Sequence, residues 1–145
     1  MSLLAGIKNM LGANNARKAG SHKPDLVTAA ETHILWRARL GHHIRGTIPE
    51  SLNAAPLGQD GICLLGSWIR GSVLKPFCEP DMHQQLKEAH QNFHHSGNLI
   101  IERLKAGDRA GAEALFHDEY TPSLRGIIIA LTAINKQLHN AQARN

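Results

Sequence analysis

Four residues in this chain carry atoms that bind borderline-soft metal ions, and each stands in a short phrase of its own. They are His33 in His33-Ile34-Leu35-Trp36-Arg37, Cys63 in Cys63-Leu64-Leu65-Gly66-Ser67-Trp68, and His90 and His94 in His90-Gln91-Asn92-Phe93-His94. One thiolate sulfur and three imidazole nitrogens are donors that zinc prefers, and four of them close a tetrahedron with no position left for a substrate. The set points to a structural or sensory metal centre rather than a hydrolase. Catalytic zinc keeps an open position and has a general base nearby. No carboxylate falls inside the spacing of His90 and His94 or in the Cys63 phrase, so an enzyme is not expected.

Histidines four residues apart project from one face of a helix. Alone this pair says little, because ten histidines in 145 residues supply about one such pair by chance. Its setting says more. His90 and His94 share a face with Leu86 and Phe93, and His33 falls on the apolar face of another helix. Unpaired imidazoles on such faces would cost desolvation energy. Gly66 and Gly97, each about one turn after a candidate ligand, would let neighbouring backbones approach closely.

The elements that must position these side chains follow from hydrophobic rhythm and punctuation. Pro24 and Asp25 start a helix whose inward face runs Leu26, Ala30, His33, Trp36 or Arg37, Leu40 and Ile44, ending near Gly46. Thr47 to Asp60, with Pro49, Pro56 and Gly58, reads as a long loop. Asp60 is expected to cap a short helix from Gly61, with Cys63 in its first turn, where the helix N-terminus favours thiolate over thiol. Asp60 could instead orient a ligand histidine. The longest helix runs from Asp81 to about Ala106, stopped by Gly107, with Met82, Leu86, His90, Phe93, His94, Gly97 and Leu104 inward. A further helix starts near Asp108. Thr121 and Pro122 are read as an interruption and the start of a final helix through Leu124, Ile127, Leu131, Ile134 and Leu138. The expected fold is all-α: an antiparallel four-helix bundle with a short additional helix carrying the metal-binding Cys63.

Composition narrows the function classes. The net charge is +4, but Lys8, Arg17, Lys18 and Lys23 all precede the first acid, Asp25. From Pro24 on, twelve basic residues face twelve acidic ones. Residues 1–23 are therefore set apart as a basic amphipathic segment, with Leu3, Leu4, Ile7, Met10 and Leu11 at helical spacing, and residues 24–145 as the zinc-binding helical domain. No basic stripe with interleaved aromatics appears, so nucleic acid is not an expected partner. No uninterrupted apolar run reaches transmembrane length. Two cysteines make no disulfide framework, and a zinc thiolate needs a reducing, cytoplasmic setting. Trp36 and Trp68 are expected to pack around the site, and Cys78 to be an inert thiol. His83 could face the site's edge, while His42, His43, His95 and His117 should face solvent.

Taken together, His33-x-x-Trp36-Arg37, Cys63-x-Leu65-Gly66-x-Trp68 and His90-x-x-Phe93-His94 resemble the chemoreceptor zinc-binding domain family of bacterial signalling proteins. The resemblance spans about Pro24 to Gln142. It implies that His33, Cys63, His90 and His94 hold Zn2+ in a four-helix bundle, and that the domain forms a homodimer. It also implies a role in chemotaxis or cyclic-di-GMP signalling, in which the domain responds to zinc availability or to oxidation of the zinc-bound cysteine. No output domain is read in the chain, so the expectation is either a stand-alone member of the family or one whose signalling partner, a chemoreceptor or diguanylate cyclase, is a separate chain. The alternative is a dimerisation or adaptor protein in which zinc is purely structural.

Overall fold

The computed structural model describes residues 24–47 and 63–143, and every regular element in them is helical. In chain order these are α1 (Leu26–Arg45), α2 (Leu64–Arg70), a 3₁₀ turn (Lys75–Phe77), α3 (Pro80–Lys105), α4 (Arg109–Leu115), a π-helical turn (Phe116–Tyr120) and α5 (Thr121–Ala143). Helices α1, α3, α4 and α5 pack together, and α2 lies on α3. No described helix is long and apolar enough to cross a membrane. The expectations for residues 1–23 and for Asp60 fall outside the described residues.

Local chemistry sets the helix ends. Asp25 caps α1 by accepting from the Thr28 N–H at 3.0 Å, and Asp108 caps α4 by accepting from the Gly111 N–H at 2.8 Å. Gly46 and Gly107 end α1 and α3 at φ of 70° and 79°, a conformation that costs glycine nothing. At both ends the next residue's N–H reaches five back: Thr47 donates to the His42 carbonyl at 3.0 Å, and Asp108 to the Arg103 carbonyl at 2.8 Å. These bonds satisfy carbonyls that the helix itself leaves open.

The core runs along α3 and α5. Leu86, Phe93 and Ile100 from α3 meet Leu124, Ile127, Leu131 and Ile134 from α5, with Leu26, Leu40 and Ile44 of α1 and Leu65 and Ile69 of α2 completing it. Each such side chain contributes about 1.5–3 kcal/mol by leaving water. Polar groups pin α3 to α5 as well: the Asn92 amide donates to Ser123 Oγ at 2.6 Å, and Ser123 Oγ–H to the Glu119 carbonyl at 2.7 Å.

Two expectations need correction. Cys63 does not lie inside the first turn of its helix. Cys63 is itself the N-cap, in an extended conformation, and its carbonyl accepts from the Ser67 N–H at 3.1 Å. Thr121 and Pro122 do not interrupt the chain either. The helical path continues from Arg109 to Ala143 through the π turn, and Thr121 has ordinary helical angles. Proline has no N–H to donate and its ring collides with the carbonyl four residues back. One wide turn, with the Thr121 N–H donating to the Phe116 carbonyl five residues back, absorbs that misfit without a break.

Candidate metal centre

α1 supplies His33, the N-cap of α2 supplies Cys63, and one face of α3 supplies His90 and His94. All four are buried, and one potential ligand atom from each lies within 4.8 Å of every other. Cys63 Sγ is 3.6 Å from His33 Nε2 and 3.4 Å from His90 Nε2, and His90 Nε2 is 3.1 Å from His94 Nε2. A tetrahedral ion with one sulfur at about 2.3 Å and nitrogens at about 2.0–2.1 Å has S···N edges near 3.6 Å and N···N edges near 3.3 Å. These three spacings are near those edges, and the four groups lie close enough to hold one metal ion.

Ring orientation agrees. His33 Nδ1–H donates to the Ala29 carbonyl at 2.7 Å, one turn back in α1. This fixes the tautomer that leaves Nε2 with its lone pair facing Cys63, the arrangement a backbone carbonyl imposes on many metal-ligating histidines. Cys63 Sγ is turned to the imidazoles and makes no capping bond to the start of α2. Helix-dipole stabilisation of a thiolate is therefore a small effect here, since the sulfur faces a cluster rather than the helix N–H groups.

Burial also sets the charge state. It holds His33 at about 3, far below an ordinary histidine, although the hydrogen bond to Ala29 works the other way; the charges that His90 and His94 would carry add to the depression. His90 is likewise held at about 3, chiefly by burial, then by His94 and by the Arg70 guanidinium. These rings are neutral at pH 7, the form in which imidazole binds metal.

Aromatic rings enclose the cluster. Trp36 meets His33 edge-on at 4.7 Å between ring centres and His94 at 5.7 Å. Phe93, between the two α3 histidines, lies 5.3 Å from His33 and 5.4 Å from His94. Its other face stacks on Tyr120 at 4.3 Å. Tyr120, in the π turn, is fully buried with a hydroxyl that has no hydrogen-bond partner, and burial pushes its phenol far above the usual tyrosine value. Ring packing rather than hydrogen bonding thus holds this tyrosine, and Gly97 makes room for it. A Cβ at residue 97 would stand 3.0 Å from the Tyr120 ring.

The remaining sequence candidates lie elsewhere. His83 does not join the cluster; its Nε2–H donates to the Ile69 carbonyl at 2.9 Å and ties the end of α2 to α3. Cys78 is a half-buried free thiol whose titration burial pushes up, with Glu79 adding to the effect. Trp68 packs against the core from α2. His42, His95 and His117 are exposed as expected, whereas His43 is buried on α1. Sequence reasoning missed the Ala29 carbonyl, because a backbone group carries no residue signature. It also missed Tyr120, whose place beside Phe93 depends on the π turn.

No protein-family model, no curated protein and no solved structure matches the chain.

Proposed function

We propose that this chain is a zinc-binding sensory or regulatory domain of bacterial signal transduction, of the chemoreceptor zinc-binding type, and not an enzyme. The observation that carries the reading is the convergence of His33, Cys63, His90 and His94, buried and with ligand atoms within 4.8 Å of one another. Zn2+ is the ion that suits three imidazoles and one thiolate in that geometry. A fourth protein ligand closes the site, which argues against hydrolysis.

The regulatory logic lies in how the ligands are distributed. The metal-ligating rings of α1 and α3 sit on long helices with their own core contacts. Cys63 stands at the head of a seven-residue helix, too short to be stable alone. Zinc bound there would supply folding energy on the scale of structural zinc sites, about 10–16 kcal/mol of apparent binding energy. A two-electron oxidant such as hypochlorous acid takes the Cys63 thiolate to sulfenic acid and leaves as chloride. The sulfur then loses its anionic donor character, α2 loses its anchor, and its displacement is the signal. We read the packing of α1, α3, α4 and α5 as an antiparallel four-helix bundle that forms a cytoplasmic homodimer. Its output passes to a chemoreceptor or diguanylate cyclase.

Elemental analysis tests the site, with one zinc per chain expected in the wild type and none in Cys63→Ala or His90→Ala. Zinc content and helicity, followed during titration with hypochlorous acid, test the response. Unchanged metal and helicity after stoichiometric oxidant would sink the redox part. Tight zinc binding with no conformational response over a physiological range would favour the structural adaptor.

A further inference from the structure

The surface beside His90 opens into a cavity of about 490 Å³, walled by Gly66, Arg70, Lys75, His83, Lys87 and His90 among others. Three cations converge on this space from three elements: Arg70 from the end of α2, Lys75 from the 3₁₀ turn and Lys87 from α3. Among the described residues no carboxylate lines it. The Lys75 and Lys87 side chains form no ion pair with any described residue. Placing Lys75 and Lys87 at this cavity adds nothing to the core, since both are exposed and neither packs in it. The domain body has as many acids as bases, so this clustering is local and not a consequence of overall charge.

We infer that this cavity binds a small oxyanion of the phosphate class, held by Arg70, Lys75 and Lys87 beside His90. The guanidinium and the two ammonium groups donate charge-assisted hydrogen bonds to such an anion. On the zinc reading the effect deepens. Three neutral imidazoles, one thiolate and Zn2+ carry a net charge of about +1, so zinc and the anion favour each other's binding, and by the same factor in both directions.

The test is an NMR titration of the full chain, zinc-loaded and metal-free, with inorganic phosphate and separately with glycerol phosphate at low salt. Saturable shifts of the amides at 66–71, 75 and 83–91 are expected. Lys75→Gln and Lys87→Gln should each weaken binding by about tenfold or more, the loss of one hydrogen bond to a charged group. Lys136→Gln, an exposed lysine of α5, should leave it unchanged, and all three variants should retain zinc. Tighter binding of glycerol phosphate identifies an organic phosphomonoester as the ligand class, and tighter binding of phosphate identifies the free ion; either supports the site. Saturable binding in a chain that takes up no zinc keeps the anion site and discards the zinc reading. Non-saturable shifts, shifts spread over all lysines, or wild-type affinity in both lysine variants would overturn the proposal.

Discussion

Acidifying the metal-free protein should destabilise it through the cluster histidines, and the size of the effect follows from their burial. His33 and His90 titrate near 3 in the fold and near 6.5 in an unfolded chain. Their folded values are depressed, so the unfolded state binds more protons wherever the pH lies between those limits. Stability is therefore full above about pH 6.5 and lost as pH falls toward 3. Between pH 7.5 and 5.5 each ring gives up about 1.4 kcal/mol, or about 3 kcal/mol for the pair. In a chain of this size that lowers Tm by about 6–12 °C. The assay is thermal unfolding followed by circular dichroism, after chelation, at pH 7.5, 6.5 and 5.5. In His33→Leu the ring no longer titrates, and the loss across the same interval should fall by about half. A Tm that holds steady or rises on acidification, or a His33→Leu slope equal to that of the wild type, would refute the argument that burial keeps these rings neutral.

Other expectations are narrower. Cobalt in place of zinc should give the visible spectrum of a tetrahedral sulfur–nitrogen site in Cys78→Ala but not in Cys63→Ser, since only Cys63 faces the imidazoles. Gly97→Ala places a Cβ 3.0 Å from the Tyr120 ring, which is stacked on Phe93 and Phe116 and has little room to yield. Overpacking of about 1–3 kcal/mol should outweigh the helix-propensity gain of about 1 kcal/mol, so denaturant melts should show a net loss; a gain would mean that Tyr120 moves freely. Asp25→Ala removes the cap on α1 and should cost about 1 kcal/mol, with Asp25→Asn restoring most of it in the same melts.

Much of the architecture was legible in the residues because it is local. Asp25, Gly46, Gly107 and Asp108 act within a few residues of themselves, and their capping chemistry is the same in any helix. The apolar faces of α1, α3 and α5 follow a period that sequence displays directly, which is why His33, His90 and His94 could be placed inward. The misreadings fell where local rules competed. Thr121-Pro122 carries a helix-start signature, yet the packing of Phe116, Tyr120 and Leu124 on one core keeps the path continuous, and a π turn resolves the conflict. His43 sits beside exposed His42, and the helix rhythm alone did not separate them.

The residues alone determined what kinds of donor atoms this protein has, on which helix faces they stand, and where those helices end. Tertiary structure decided that side chains 30 and 27 residues apart in the chain lie 3.6 and 3.4 Å apart in space. It also decided that the Cys63 sulfur turns inward from an N-cap, and that three cations from separate elements share one cavity. Helix ends and faces depend on interactions between near neighbours in the chain, whereas the meeting of separate faces depends on how their side chains interdigitate, which no single segment encodes.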